Sequence, residues 1–432
     1  MKTLIASLVV LSALFAQADA ESVTGVTAKQ RWPWNGIVDV DFTLSGKAGE
    51  QYRIEVGATS AKSGTFFAKT YLTEPVMAAG QHRISWDFGR DYPNVRENDV
   101  VFSVAAFPLS EDDKPTYMVI DISAGKDAAN WPVRYTSVPP QHTPGCLADK
   151  CKLSEIWLRR VHVKDEPFCY RIYTNGMGAN NFFAKLTQDF YIAIFPTTQR
   201  QWYLMSGAYK SKFVIDRETR PVDSFHVNAL WSSFSDYLNG NGTGAGGAVK
   251  DSNLDRIRIR TGLNTIDFPT EAQWVYALHN GPCVTETYRY RDATGYQYTF
   301  NECSRNKDNS GTVTDMATAD LNNGTASVGC YAPNVIGLYD MVGNVGELVK
   351  NPQRTDAALK TYYDNLGATY PVLNPAETTT ATAASTQFAI CYPHGWRDVG
   401  GKVTTWWTRY GARADYCPDN GVIGFRFCVT VK

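Results

Sequence analysis

The sequence holds 432 residues, 44% of them hydrophobic and 13% aromatic, so it is long enough for two domains with sizeable cores. Its 42 basic and 43 acidic residues leave a formal net charge of −1. This balance gives no electrostatic reason to expect nucleic acid or an anionic membrane surface as a partner.

The first 20 residues predict an export signal. Lys2 precedes an apolar run, residues 4–15, that is shorter than a membrane span. Ala18-Asp19-Ala20 fits a small-x-small cleavage site, so we expect a mature chain that begins near Glu21 and is periplasmic, cell-surface or secreted. An uncleaved anchor is the alternative. No later run is long and apolar enough to predict a membrane span.

Residues 21–125 predict a small all-β sandwich. Short period-two runs alternate with glycine-rich breaks, at residues 37–44, 52–56, 84–88 and 100–104. Trp32, Trp34 and Trp86 are expected in its core rather than in a ligand site. A spacer or docking role follows for this domain.

Residues 126–151 predict a linker, since Pro132, Pro139, Pro140 and Pro144 interrupt regular structure there. Nine cysteines follow the signal, and an exported chain meets an oxidising compartment, so several are expected to pair. Cys146 and Cys151 are spaced to close a small loop. No spacing gives the paired C-x-x-C pattern of a structural zinc site.

Residues 152–432 form the second predicted domain, which carries five motifs. Residues 334–347 read N-V-I-G-L-Y-D-M-V-G-N-V-G-E, and residues 268–277 read F-P-T-E-A-Q-W-V-Y-A. Residues 189–202 predict a strand that leads into a helix, with Thr198 as its cap, and Thr270 is placed to cap another helix. Pro221-Val222 and Gly424-Phe425-Arg426 complete the series.

In this order the motifs resemble those of the formylglycine-generating enzyme (sulfatase-modifying factor) family. The resemblance implies a C-type-lectin-like fold for the second domain. The whole chain is therefore predicted to be α+β, with that domain preceded by the all-β sandwich. Members of the family include both oxidases and ligand-binding proteins.

The resemblance also implies structural calcium at the turn that contains Asn344, Gly346 and Glu347. An amide oxygen, backbone carbonyls and a carboxylate are the hard ligands that calcium prefers. The alternative is that Asn344 and Glu347 only hydrogen-bond the backbone of the turn. A second family site would fall within residues 301–323.

The oxidases of the family bind copper through two cysteines five positions apart, just before an Arg-x-x-x-Arg segment. Here Arg409 and Arg413 match the arginines, but residues 400–408 contain no cysteine. No copper is therefore expected, and formylglycine formation is not predicted. The six histidines lack the spacing of the iron site of sulfoxide-forming relatives.

A group of aromatic and polar residues near the C-terminus predicts a ligand-binding surface. Trp, Tyr and Arg side chains combine large rigid area with a polar tip, as binding hot spots require. In the family the corresponding segment lines the ligand-facing groove, although a strand here would turn one of the two tryptophans inward. The group comprises Trp406, Trp407, Arg409, Tyr410, Arg413, Asp415, Tyr416 and Asn420.

The sequence therefore predicts an exported, calcium-braced recognition protein for a protein or carbohydrate ligand, without a catalytic site. One alternative is a metal-dependent oxidoreductase of the family, using Tyr392, His394, Cys417 and Glu347. Another is a structural cell-envelope protein. The resemblance also extends to variable proteins of diversity-generating retroelements, whose C-terminal segment is hypermutated for ligand recognition.

Overall fold

Contacts divide the chain into two units. The first unit comprises Met1–Val119 with Pro132–Pro139, and the second comprises Ile120–Trp131 with Pro140–Lys432. The sequence predicted one boundary, within residues 126–151. A computed structural model gives the fold and describes residues 22–33, 35–47, 50–97, 99–109, 115–144, 146–173, 180–211, 213–214, 216–223, 225, 230, 243–245, 248–279, 281, 290–291, 297–298, 325–330, 333–334, 336–341, 344–352, 372–373, 388–391 and 423–431.

The first unit consists of two antiparallel sheets. One has the strand order β1-β2-β7-β5-β10, and the other has β4-β3-β6 with β8 also paired to β3. β9, Tyr117–Asp121, lies across the division between the units. The elements are β1 Val23–Gln30, β2 Ile37–Leu44, β3 Gln51–Ser60, β4 Gly64–Phe67, β5 Thr70–Tyr71, β6 Val76–Ala78, β7 Gly80–Asp87, helix α1 Phe88–Asp91, β8 Val100–Pro108 and β10 Val133–Thr136.

Alternation along β2 shows why the described part of this unit is mostly sheet. Val38, Val40, Phe42 and Leu44 are buried, and they join residues of both sheets in one apolar cluster around Trp86. The intervening Asp39 and Asp41 point away from that cluster, and Asp41 pairs with the Arg83 guanidinium at 2.7 Å. Because successive side chains alternate between faces, one sequence pattern fixes both the core and its polar side.

The expectation of a buried Trp32 is wrong, whereas that of a buried Trp86 is confirmed. Trp32 is 71% exposed because it lies in the turn between β1 and β2, outside the alternating runs. Trp86 is fully buried, and its indole Nε1 donates to Asp91 Oδ2 at 2.7 Å. Trp34 lies outside the described residues.

The second unit is also mostly sheet among its described residues, with four short helices. Its strands are β11 Glu155–Val161, β12 Phe168–Tyr173, β13 Asn180–Lys185, β14 Phe190–Ala193, β15 Ile266–Asp267, β16 Tyr290–Arg291, β17 Gln297–Tyr298, β18 Gly346–Pro352, β19 Val372–Leu373, β20 Phe388–Cys391, β21 Ile423–Gly424 and β22 Cys428–Thr430. Its helices are α2 Lys150–Leu153, α3 Gln199–Ser206, α4 Asn253–Thr261 and α5 Glu271–His279. No helix of the described residues is long and apolar enough to cross a membrane.

Four small sheets arrange these strands. The orders are β11-β14-β22-β15, β12-β13-β19, β16-β17 and β20-β18-β21. In the first of them, Ile192 lies opposite Cys428, so the end of the chain pairs with the strand that precedes α3. In the last, β18 pairs antiparallel with β20 and parallel with β21.

Two helices of this unit begin at the predicted caps. Thr198 Oγ1 accepts from the Gln201 backbone N–H at 3.1 Å, and Gln201 Oε1 accepts from the Thr198 N–H at 2.9 Å. Thr270 and Gln273 repeat this reciprocal pair at the start of α5. Each pair satisfies two backbone donors that a helix start leaves without partners.

Asp189 fastens the start of β14 to β11. Its carboxylate accepts from the Val163 N–H at 2.9 Å and pairs with the Arg160 guanidinium. Burial alone would raise the pKa of Asp189, but the Val163 hydrogen bond and the Arg160 charge outweigh it and hold the pKa below its usual value. A lowered pKa in the folded state means that the ionised carboxylate stabilises the fold.

The contribution of Asp189 is expected to depend on pH. It is fully present above the unfolded-state pKa of about 3.9 and is lost as pH falls through the lower folded-state pKa. Asp189→Asn is therefore expected to lower the free energy of unfolding by about 1–3 kcal/mol at pH 7. The gap to the wild type should shrink steadily below about pH 4, as measured by urea unfolding over a pH series.

Asp127→Asn is the matched control, because that carboxylate is 85% exposed in the same unit. It is expected to change stability by less than about 0.5 kcal/mol at every pH. A gap between wild type and Asp189→Asn that stays constant down to pH 2 would contradict the assigned role.

Candidate functional site

A buried ion pair between Arg426 and Glu347 lies at the centre of the predicted motifs. Arg426 is 0% and Glu347 is 1% exposed. Arg426 NH2 donates to Glu347 Oε1 at 2.6 Å, and Arg426 Nε donates to Oε2 at 2.6 Å. The Trp274 indole N–H donates to the same Oε2 at 2.7 Å. Three N–H donors from two distant segments thus engage both oxygens of one carboxylate.

The remaining Arg426 donors join the pair to two further segments. NH1 donates to the Ala193 carbonyl of β14 at 2.9 Å, and NH2 donates to the Tyr339 carbonyl at 2.9 Å. A planar guanidinium presents five donors in a fixed fork, and here it links β14, β18 and the turn at Tyr339. These contacts offset the cost of removing both charges from water.

Asn334, the first residue of the 334–347 motif, holds a turn. Its amide Nδ2 donates to the Ala277 and Leu278 carbonyls at 3.0 and 3.1 Å, at the end of α5. Its Oδ1 accepts from the Leu338 N–H at 2.9 Å. Gly337 has a φ of 78°, a left-handed conformation that favours glycine. The motif therefore encodes a turn that the Asn334 side chain holds to the end of α5.

In the second half of this motif, the side chains of Asn344 and Glu347 bond other protein groups and do not form the calcium site that the sequence predicts. The Asn344 amide bonds both ways to Ala326, accepting from its N–H at 3.0 Å and donating to its carbonyl at 3.3 Å. Both Glu347 oxygens are taken by Arg426 and Trp274, and the arginine charge repels a second cation. Gly346 pairs with Ile423 in the strand register. These residues do not fit a calcium ion, and calcium at this turn stays a prediction from the sequence alone.

The predicted ligand-binding residues, Trp406 to Asn420, lie outside the described residues, as do Tyr392, His394 and Cys417. The strands on either side of these residues are described, and both pair with β18. Cys391, at the end of β20, and Gly424, in β21, are both register partners of Glu347 on β18. Cys391 and Gly424 therefore lie about 10 Å apart, two strand spacings, on either side of Glu347.

Disulfides were expected, but none joins the cysteines whose side chains are described. Cys146 and Cys151 are unbridged, and Cys151 Sγ donates to the Gln141 carbonyl at 3.4 Å. Burial, with Asp149 acting in the same direction, raises the pKa of the Cys151 thiol to about 12. Burial also raises the pKa of Cys428 far above its usual value. Neither thiol has the lowered pKa of a reactive cysteine.

A cluster that sequence reasoning missed lies next to Cys151. Potential ligand atoms of His142, Asp149 and Cys151 lie within 4.8 Å of one another. Burial, aided by the charge of Lys152, lowers the pKa of His142, so its imidazole is neutral near pH 7. The three residues fall within ten positions of the chain, but neither the histidine spacing nor the cysteine spacing alone matches a metal-binding pattern.

Comparison with known proteins supports the predicted family for part of the chain. Residues 182–372 match the family model of the sulfatase-modifying factor enzyme 1-like domain. This match confirms the resemblance read from the motifs, over a domain that covers less than half of the chain.

Two individual proteins are similar at greater distance. The chaperone protein LppX of Paenibacillus barcinonensis is 27% identical over 179 residues, which cover 37% of this chain and 61% of that protein. The match thus spans less than two thirds of that relative's length. Treponema denticola variable protein 1 is similar in structure at a TM-score of 0.39 and 16% identity, over 67% of this chain and 99% of that one.

Breaking the buried pair is expected to be costly. Arg426→Met leaves the Glu347 charge buried without a countercharge, so the free energy of unfolding should fall by about 3–5 kcal/mol. Adding Glu347→Leu to Arg426→Met removes that stranded charge. The double variant should therefore lose less than the sum of the two single variants in urea unfolding.

Asp165→Asn is the control, since Asp165 pairs with Lys185 at 3.0 Å but is 71% exposed. It should cost less than about 1 kcal/mol. Strictly additive losses for Arg426→Met and Glu347→Leu would show that the two charges do not act as a pair.

Proposed function

We propose that this protein is an exported recognition protein whose sulfatase-modifying-factor-like domain binds a ligand without catalysing a reaction. The observation that carries the proposal is the register of Cys391 and Gly424, the described residues on either side of the predicted ligand-binding segment. Both are partners of Glu347, in a sheet whose central strand is fixed by the buried Arg426 pair. A recognition segment requires such a rigid frame at its two ends.

The state of the motif residues supports a non-catalytic role. Glu347 is the acid that the oxidoreductase alternative would use. Its two oxygens both accept hydrogen bonds from Arg426 or Trp274, so neither is free to bind a substrate or a metal. The sequence lacks both copper-binding cysteines before Arg409. The buried Cys151 thiol is held protonated by its surroundings and is a poor nucleophile.

A protein or peptide is the ligand class that the proposal favours over a carbohydrate. A similar protein is named a chaperone, and a chaperone binds other proteins. Trp406, Trp407, Tyr410 and Tyr416 supply the apolar area that would receive exposed hydrophobic side chains, and Arg409 and Arg413 supply charged hydrogen-bond donors.

The test compares two arrays probed with the purified mature protein, one of immobilised peptides and one of glycans. The wild type is expected to bind a subset of peptides. Trp406→Ala with Trp407→Ala should weaken that binding at least tenfold, because hot-spot aromatics each contribute about 2 kcal/mol or more. Ile259→Ala is the matched control, since Ile259 is an exposed apolar residue on α4 of the same unit.

Binding that survives loss of both tryptophans would contradict the assigned surface, and binding to glycans alone would move the ligand class to carbohydrate. A copper-loaded sample that oxidises a cysteine-containing peptide would overturn the non-catalytic part and favour the oxidoreductase alternative.

Calcium is proposed to brace the domain through oxygens other than the Glu347 carboxylate, because both oxygens of that carboxylate accept hydrogen bonds and its charge is paired with Arg426. Removal of calcium with EGTA should lower the thermal midpoint of the wild type and of Glu347→Gln by the same amount. A calcium response present in the wild type and lost in Glu347→Gln would place the ion on Glu347, against the geometry. If EGTA leaves the thermal midpoint of the wild type unchanged, the proposal that calcium braces the domain is wrong.

A further inference from the structure

A buried polar cluster lies in the segment between β10 and α2, and none of its residues belongs to the predicted ligand-binding set. His142 comes from the segment itself, Asp149 precedes α2, and Cys151 is in α2. The side chains of His142 and Asp149 are 6% and 13% exposed, and Cys151 is buried. Imidazole nitrogen, carboxylate oxygen and thiol sulfur are thus gathered in one place with little access to water.

The orientation of the His142 ring makes one nitrogen a lone-pair donor. Nε2 lies 3.1 Å from the Gly329 carbonyl oxygen. A carbonyl only accepts, so this contact places a proton on Nε2 and leaves Nδ1 as the ring nitrogen that could bind a metal ion. The ring is fixed in this pose by edge contacts with Phe195 and Tyr339, at centroid distances of 5.1 and 4.8 Å.

That lone pair has no hydrogen-bond partner among the described residues. Nδ1 is buried, and it faces Asp149 Oδ2 at 3.4 Å. Two acceptors without a proton between them repel each other, and a buried acceptor without a donor costs about 1–3 kcal/mol. A cation between the two atoms removes both penalties.

We propose that His142 Nδ1, the Asp149 carboxylate and the Cys151 sulfur bind a divalent metal ion of the zinc class, with the thiol proton released to solvent on binding. Nitrogen, oxygen and sulfur donors together are the ligand set of zinc in proteins, and a neutral histidine whose other nitrogen bonds a carbonyl is the usual form of the ligand. With metal bonds of about 2.1 Å at the tetrahedral angle, nitrogen and oxygen ligands lie about 3.4 Å apart. The measured distance between Nδ1 and Oδ2 has this value.

Charge balance points to Cys146 as the fourth ligand. Its thiol hydrogen-bonds the Asp149 carboxylate, so its sulfur already lies beside the cluster. Lys152 is fully buried there, with Nζ 3.3 Å from Asp149 Oδ2. Two thiolates and one carboxylate carry three negative charges, which equal those of a divalent ion plus Lys152. A complete four-ligand set with little solvent access is a structural rather than a catalytic site.

The ligand positions are set by the capping box of α3. Gln201 Nε2 donates to the Cys151 carbonyl at 3.2 Å, and Thr198 Oγ1 donates to the Lys152 carbonyl at 2.7 Å. The α2 backbone that carries Cys151 is thereby fixed before any ion binds. A bound ion would join the 141–151 segment, α2 and, through the His142 contact, Gly329.

The test is a titration of the full mature protein, reduced and metal-free, with cobalt(II) followed by zinc(II). One equivalent of cobalt is expected to give the visible bands of tetrahedral coordination together with a thiolate-to-cobalt charge-transfer band, and zinc should displace both. Cys151→Ser and His142→Gln should each weaken zinc binding by more than the roughly 10–100-fold that loss of an outer partner costs. Competition with a chromophoric chelator measures this.

Cys428→Ser and His162→Gln are the matched controls, a buried cysteine and a partly exposed histidine of the same unit that lie outside the cluster. They should retain zinc affinity within about threefold, a change of less than 0.7 kcal/mol. Asp149→Asn keeps the size of its side chain and guards against a folding defect in the other variants. It should bind zinc less tightly while its circular dichroism matches the wild type.

Three outcomes would overturn the proposal. One is the absence of a charge-transfer band in the reduced wild type. Another is zinc affinity that Cys151→Ser leaves unchanged. The third is a Cys146–Cys151 disulfide in natively purified, zinc-free protein, found by mass spectrometry of its peptides. Zinc near one per chain in natively purified protein, lost together with part of its thermal stability on chelation, would support it. None of these measurements depends on the recognition ligand.

Discussion

The ion pair of Arg426 with Glu347 is the constraint on which the second unit depends. Its two charges are buried at a cost of several kcal/mol each, and only good geometry with additional hydrogen bonds compensates such a cost. The guanidinium meets this requirement by bonding β18 through the carboxylate, β14 through Ala193 and the motif turn through Tyr339. The three segments must fold together, because omission of β18 leaves the buried guanidinium without its countercharge, and omission of either other segment leaves one of its N–H groups without an acceptor.

This constraint changes how the family motif is interpreted. Asn334, Asn344, Glu347 and Arg426 have the polar character of catalytic or metal-binding residues, but their bonds are made within the protein. A motif of this kind specifies a framework, so its presence identifies a fold family rather than an activity. The chemistry that differs between members must lie in the segments that the framework presents. Here Cys391 and Gly424 are the framework residues on either side of the segment predicted to bind the ligand, and both pair with Glu347.

Local patterns explain which parts of the structure could be predicted from the sequence. The alternation in β2 and the capping residues Thr198 and Thr270 act over a few positions, so the sequence shows them directly. The partner of Glu347 is 79 positions away, and no local rule connects the two. The same limit explains the expected Cys146–Cys151 bridge, since spacing alone does not show that Cys151 points towards Gln141 and Asp149. The prediction that Trp32 is buried fails for a different reason, because hydrophobicity without periodicity does not decide burial.

Tyr339 connects the framework around Arg426 to the His142 cluster. Its carbonyl accepts from Arg426, and its ring packs at 4.8 Å on the ring of His142. Phe195, which follows the strand bonded by Arg426, packs on both rings. Close-packed side chains transmit displacements rather than absorbing them. A metal ion that fixed the His142 ring would therefore also fix Tyr339, and with it the carbonyl that orients Arg426. Such an ion would stabilise the strand on which Glu347 lies, although none of its ligands belongs to the family motif.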